Sequence, residues 1–239
     1  MSTTNFLFIH IPKCAGTSIS ESLIPHNPAA CQGKNGNLWV KSPQPSLNSI
    51  VMGRDDGVIP PDNLEGYDYI FSVVRNPWDR AVSWFFWHQQ RSYHDHFKWY
   101  KEFSSFEEWV MGGMETRPHR DIYFQMKDSW LLYGDSDEHL CDLMMKKRRR
   151  GIDALGWTSK GLPKIPFLVD DIFKQEDLTD PNKPHWKHLV QKCGLAYRPL
   201  KHTNKSKHKN YKDYYNEKMI EAVYNICKED IEFFGYSFS

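Results

Sequence analysis

Residues 8 to 19 read Phe-Ile-His-Ile-Pro-Lys-Cys-Ala-Gly-Thr-Ser-Ile and decide the fold, because they pass from an apolar run through a turn into an amphipathic segment. The apolar run from Phe6 to Ile11 is typical of a short buried strand, which Pro12 ends. The segment from Thr17 to Leu23 predicts a helix, since its apolar side chains recur on one face. This order of strand, turn and helix indicates an α/β protein.

The turn between this strand and this helix is predicted to bind an anion. In an α-helix the first backbone N–H groups have no acceptor within the helix, and the helix dipole adds partial positive charge at the same end. Lys13 adds a full positive charge, while Thr17 and Ser18 add hydroxyl donors. We therefore expect residues 13 to 18 to grip a phosphate-bearing ligand.

The order of residues in this turn differs from two familiar phosphate-binding loops. The nucleoside-triphosphate loop G-x-x-x-x-G-K-[ST] has its Lys after the second Gly, whereas Lys13 precedes Gly16. That inversion argues against an ordinary kinase. Cysteine-based phosphatases need an Arg where this chain has Ser20, so Cys14 is interpreted as a small packing residue and not as a nucleophile.

A second segment, which follows another predicted strand, is also predicted to bind a phosphate. The run Tyr69–Val74 is typical of a buried parallel strand, and Arg75 follows at its carboxyl end, where open α/β sheets bind ligands. Asn76 is suited to cap the next helix and Pro77 to its first turn. Ser83 lies about two turns further on, so we expect a guanidinium and a hydroxyl to converge on one phosphate.

These two segments resemble the 5′-phosphosulfate loop and the 3′-phosphate motif of sulfotransferases that use 3′-phosphoadenosine 5′-phosphosulfate (PAPS). The similarity is to the carbohydrate-type, family 2-like branch, which includes membrane-anchored Golgi enzymes and soluble bacterial relatives. A third block, from His202 through Asp230 to Tyr236, is similar to the end of that branch's pattern. The resemblance implies a P-loop-like three-layer fold with a central, mainly parallel sheet flanked by helices. The length of the chain fits a single domain over residues 1–239, and residues 134–165 are interpreted as a loop excursion or lid.

The resemblance further implies the co-substrate and its binding residues. PAPS would be the sulfuryl donor and 3′-phosphoadenosine 5′-phosphate (PAP) the product, with no metal. Lys13 would stabilise the leaving group as a catalytic residue. The cofactor-binding residues implied are Lys13, Cys14, Ala15, Gly16, Thr17, Ser18, Arg75, Ser83, Asn204, Lys205 and Ser206.

A general base is the weakest part of the pattern. In related enzymes a His often follows a Gly between the two segments, but here Gly53 is followed by Arg54. His10, His88 and His119 are the candidate bases that we consider. The missing His also leaves open a carboxylate base or an unusual small nucleophile.

Composition limits the remaining possibilities. Among 239 residues the net charge is +1, which indicates neither nucleic-acid nor membrane binding. No secretory signal or membrane-spanning run is predicted, and the five Cys are scattered without C-x-x-C spacing, which is typical of reduced cytoplasmic thiols. We expect a small-molecule or carbohydrate acceptor with a hydroxyl, amine or amide nitrogen; the sequence does not indicate an oligomeric state. The basic run at residues 146–150 is either a solvated loop or a patch for an anionic acceptor or partner.

Two other functions remain open at this point. One is a nucleotide or small-molecule kinase on the same sheet, and the other is a non-catalytic module that binds a nucleotide or glycan. The remaining elements predicted are an irregular connection over 25–66, helices over 78–90, 106–110, 185–193 and 211–234, glycine ends at Gly194 and Gly235, and a strand over 166–169.

Overall fold

The computed structural model describes residues 4, 6–11, 13–23, 49–52, 68–90, 102–114, 170–203 and 208–239. They fall into two compact units. The first unit comprises Met1–Val74 and Met126–His202, and the second comprises Arg75–Gln125 and Thr203–Ser239.

Four strands and seven α-helices are assigned in the described ranges. The strands are β1 Phe6–His10, β2 Ser49–Met52, β3 Tyr69–Val74 and β4 Asp171–Lys174. The α-helices are α1 Gly16–Leu23, α2 Pro77–Gln90, α3 Phe106–Glu108, α4 Gln175–Thr179, α5 His185–Lys192, α6 Glu217–Ile226 and α7 Lys228–Phe234. A π-helical turn at Trp109–Gly113 continues α3, and a 3₁₀ turn covers Tyr211–Tyr214.

The first unit is built on a parallel sheet in the order β2-β1-β3-β4. Each neighbouring pair is parallel, with Phe8 opposite Phe71 in the β1–β3 pair. The two rings stack with centroids 4.8 Å apart, and both side chains are fully buried. Parallel strands are covered on both faces in most proteins, which explains why β1 and β3 are almost continuously apolar. The predicted α/β class with a parallel sheet is confirmed.

The second unit packs around α2. The inward face of α2 carries Trp78, Val82 and Phe85, which form one buried cluster with Trp109 of the π-helical turn and Val223 of α6. Phe85 and Trp109 have ring centroids 5.4 Å apart. The aromatic side chains of this segment therefore supply a core, as their helical spacing predicts.

Most predicted elements are confirmed within a residue or two. The helix after β3 runs over Pro77–Gln90, and α5 ends one residue before the predicted bound. Gly194 follows with a left-handed φ of 68°, and Leu195 N donates to Val190 O at 3.1 Å, so a glycine closes this helix as expected. The strand predicted over residues 166–169 and the excursion over residues 134–165 lie outside the described residues.

Two predictions were wrong in detail. Residues 25–66 were expected to be irregular, but β2 lies within them and pairs with β1, because pairing beside a buried strand stabilises a short apolar run that is too brief to stand out in sequence. The long helix over 211–234 is divided. Asn216 caps α6 by accepting from Met219 N at 3.0 Å, and the backbone leaves helical geometry at Cys227 before α7 begins.

No helix in the parts of the chain that the structure describes combines the length and apolar character needed to cross a membrane.

Three glycines give a matched test of backbone strain. A Cβ on Gly194 would lie 2.8 Å from Thr4 Oγ1 and 3.2 Å from Thr4 N, in addition to the left-handed φ. Gly235 has a φ of 61° with nothing within 4 Å of that Cβ, and Gly112 has neither feature. We expect Gly235→Ala to lower the free energy of unfolding by about 1 kcal/mol and Gly194→Ala to lower it further.

Gly112→Ala should be neutral or stabilising, because alanine favours helix. Urea unfolding of the three variants measures the order. Equal losses for Gly194→Ala and Gly112→Ala would contradict this account.

Candidate functional site

The turn after β1 has an unusual backbone. Lys13 and Ala15 have positive φ angles of 68° and 61°, which L-residues other than glycine rarely adopt. Cys14 N donates to Ile11 O at 3.3 Å, and the first helical bond of α1 runs from Ile19 N to Ala15 O at 3.0 Å. A left-handed residue directly before a helical one forms the concave backbone turn that binds anions in many proteins.

Side chains in this turn divide into buried and accessible groups. Cys14 is fully buried and Ser18 is 7% exposed, whereas Thr17 is exposed and Lys13 is half-buried. The burial of Cys14 agrees with a packing role. The ammonium of Lys13, the hydroxyl of Thr17 and the first N–H groups of α1 are donor types that match a phosphate or phosphosulfate group. The donor set therefore fits the ligand implied by the sequence resemblance.

The start of α2 shows how Arg75 is held. Arg75 Nε donates to Asp79 Oδ2 at 2.9 Å, and Nη2 lies 2.8 Å from the same oxygen. The Arg75 side chain is only 12% exposed. Asn76 Oδ1 accepts from Trp78 N at 3.1 Å, which confirms the predicted helix cap. An arginine side chain that is largely buried and paired with a carboxylate has few orientations open to it.

Ser83 lies on the enclosed side of α2, and its side chain is 2% exposed. Arg75 precedes the helix and Ser83 lies about two turns into it, as the sequence spacing predicts. Arg80 on the same helix is also buried and stacks over the Trp84 ring at 5.8 Å. The buried face of α2 therefore carries polar groups beside its apolar ones.

Of the three candidate bases, His88 is the one whose side chain the structure describes. His88 is 4% exposed, its Nδ1 lies 2.8 Å from Trp84 O, and its ring is 4.6 Å from that of Trp84. His88 is thus a buried residue of α2, as Ser83 is. His10 is in β1, and the description of this residue covers its backbone only. His119 and residues 204–206 lie outside the described residues.

Sequence reasoning missed two features of these segments. The positive φ angles at Lys13 and Ala15 carry no sequence signal, because neither residue is glycine. The partner of Arg75 could have been found, since Asp79 lies four residues further on, a spacing that brings opposite charges together at a helix start.

The described cysteines are buried thiols. Cys14, Cys193 and Cys227 form no disulfide, and burial raises the pKa of Cys193 to about 12. Within the described ranges there is no cluster of three or more His, Cys, Asp or Glu side chains able to hold a metal ion.

Comparison with known proteins gives one family. A model described as the sulfotransferase family matches residues 2–237, which include both candidate segments. Among solved structures, the chain is similar to a sulfotransferase from Alicyclobacillus acidocaldarius, with 11% identity and a TM-score of 0.46 over 98% of this chain and 94% of that one. That similarity is too low to carry a functional argument. No curated protein matches the chain.

The strained turn after β1 can be tested by relieving it. Ala15→Gly removes the Cβ that disfavours a φ of 61°, and we expect the free energy of unfolding to stay level or rise by up to about 1 kcal/mol. Ala15→Val should lower the free energy of unfolding by more than about 1 kcal/mol, because a β-branched residue tolerates this conformation least. Urea denaturation compares the two, and a larger loss for Ala15→Gly would contradict the observed backbone.

Proposed function

Because a family model matches nearly its whole length, this chain belongs to the sulfotransferase family, and we propose that it transfers a sulfuryl group from PAPS to a small-molecule or carbohydrate acceptor. The accepting atom would be a hydroxyl oxygen or an amine or amide nitrogen. One observation carries the proposal: Lys13 and Arg75 follow the carboxyl ends of β1 and β3, which are hydrogen-bonded parallel neighbours. Ligands of open α/β sheets bind at that edge.

In this proposal the turn after β1 holds the 5′ end of the donor. When bound, PAPS supplies a sulfuryl group on a phosphate leaving group. Lys13 and the first N–H groups of α1 stabilise negative charge that develops as that phosphate departs, so they favour the transition state over the ground state. Thr17 and Ser18 add hydroxyl donors, and Cys14, Ala15 and Gly16 supply the backbone.

Arg75 and Ser83 are proposed to hold the 3′-phosphate, which distinguishes PAPS from nucleotides such as ATP. A guanidinium forms charge-assisted hydrogen bonds to phosphate, and Asp79 holds the guanidinium in one orientation. The 12% exposure of Arg75 supports the proposal, since partial burial strengthens an ionic hydrogen bond. Asn204, Lys205 and Ser206 are proposed to cover the nucleotide.

The remaining parts of the proposal rest on the sequence. His10, His88 and His119 stay candidate bases, and a carboxylate is an alternative. A P-loop-like three-layer architecture, a cytoplasmic location and a reaction without metal complete it. The described cysteines are buried thiols that form no disulfide, which is compatible with a reducing compartment.

Replacement of Lys13 tests the catalytic role. We expect Lys13→Ala to lower turnover by on the order of a hundredfold or more, since removal of one preorganised donor to developing charge has effects of that size. The measurement is transfer of labelled sulfate from PAPS across a panel of hydroxyl and amine acceptors, with circular dichroism to verify folding.

Lys192→Ala is the matched control, because Lys192 is an exposed lysine in the last turn of α5. It should retain full turnover. A folded Lys13→Ala protein with near-normal turnover would eliminate the proposed role, and ATP turnover that requires magnesium would favour a kinase instead.

Replacement of Arg75 tests 3′-phosphate recognition. We expect Arg75→Ala to raise the Kd for PAP about tenfold or more, because a hydrogen bond to a charged group contributes about 1.5–3 kcal/mol. Binding of adenosine 5′-phosphosulfate, which has no 3′-phosphate, should change little. Isothermal titration calorimetry measures both ligands.

Lys228→Ala removes a positive charge elsewhere in the second unit and serves as the control. Equal affinity of the Arg75→Ala and wild-type proteins for PAP would show that the 3′-phosphate is bound by other residues.

A further inference from the structure

The first turn of α2 is held by residues of the second unit that are distant from it in the sequence. Asn76 Nδ2 donates to Ser237 O at 3.0 Å. The Tyr215 hydroxyl donates to Trp78 O at 2.9 Å, and Trp78 Nε1 donates to Ile220 O at 3.1 Å. Three long-range hydrogen bonds therefore converge on residues 76 and 78, directly after Arg75.

An aromatic cluster reinforces these bonds. The ring of Phe238 lies edge-on to three rings, with centroids 5.7 Å from Trp78, 5.3 Å from Tyr215 and 5.6 Å from Tyr211. Edge-to-face contacts of this kind are favourable and directional. The Tyr211 hydroxyl also donates to Ser239 O at 2.9 Å, which fixes the segment that carries Phe238. Phe238 is thus packed against three aromatic rings.

The Tyr215 hydroxyl remains a hydrogen-bond donor throughout the usual pH range. Burial raises its pKa well above the ordinary value, and the nearby Cys227, Asp79 and Tyr211 raise it further. Asp79 directly follows Trp78, which both Tyr215 and Phe238 contact. The cluster therefore holds the residue next to the one that pairs with Arg75.

Arg75 depends on this turn through Asp79. Two contacts of the guanidinium, at 2.9 and 2.8 Å, go to the same carboxylate oxygen of Asp79 in the first turn of α2. Any shift of that turn carries Asp79 with it and changes the direction of the guanidinium. Bidentate recognition of phosphate by Arg is sensitive to such changes.

We propose that Tyr215 and Phe238 form a clamp on Trp78 that positions Arg75 for the 3′-phosphate of the nucleotide. This inference rests on the proposed function and adds a determinant of donor specificity that touches no ligand. Tyr215 and Phe238 act through Trp78 and Asp79, so they are positioning residues. Their loss should reduce the preference for 3′-phosphorylated nucleotides and leave the 5′ end of the site unaffected.

Two variants separate the elements of the clamp. Tyr215→Phe removes one donor and keeps the ring that contacts Phe238, while Phe238→Ala removes the ring that contacts Trp78. We expect each to raise the Kd for PAP about fivefold to tenfold, which is part of the effect of losing Arg75 itself. The Kd for adenosine 5′-phosphosulfate should stay within about twofold. Calorimetric titration of both ligands on the full chain gives the preference directly.

Matched controls exclude a general loss of structure. Tyr224→Phe removes a hydroxyl that bonds to Glu232 Oε1 at 2.9 Å elsewhere in the second unit, and it should leave both affinities unchanged. Phe238→Tyr keeps the ring and should restore the preference for PAP. Thermal unfolding of every variant accompanies the titrations. If Phe238→Ala does not fold, the titrations of Tyr215→Phe alone test the clamp.

The outcomes are distinct. A selective loss of PAP affinity in Tyr215→Phe supports the clamp. Unchanged preference, or an equal loss for both nucleotides, overturns it, because the contacts would then contribute to folding alone. If the wild-type protein binds no PAP, both the proposed function and the clamp are contradicted. If PAP binds but Arg75→Ala binds it equally well, PAP recognition survives and the clamp is overturned.

Discussion

Parallel pairing between β1 and β3 is the constraint on which both candidate segments depend. Parallel neighbours cannot be joined by a tight hairpin, so the chain must leave the sheet after each strand, and here it turns into α1 and α2. Stacking of Phe8 on Phe71 fixes the register of the pair. A helix start with its backbone donors therefore follows the carboxyl end of each strand. Lys13, Thr17, Ser18 and Arg75 of the proposed function occur at these two starts.

Prediction from sequence succeeds where one residue type has one physical meaning. Continuous apolar runs identified β1 and β3, and Gly194 marked the end of α5 because left-handed backbone favours glycine. It failed for β2, whose stability comes from pairing with β1, a long-range contact that four residues do not encode. It also missed the division of the last helical run at Asn216, where a side-chain cap competes with helix continuation.

The candidate site was predictable in its residue types but not in its geometry. Lys13 and Arg75 stand out by charge and position, whereas the left-handed backbone at Ala15 and the contacts made by Phe238 require coordinates. Strain in the turn after β1 is tolerated because Cys14 and Ile11 are fully buried beside it. Such local strain is common where a backbone must present several donors to one ligand.

The pairing of Arg75 with Asp79 has a consequence for selectivity. A guanidinium already matched by a carboxylate has a weak resting field, so chloride and other abundant simple anions gain little by approaching it. Under the proposed function, a doubly charged group with tetrahedral oxygens would be bound by Arg75 while the carboxylate stays in place. The pair would then select the nucleotide by shape and valence together, in a chain whose formal net charge is only +1.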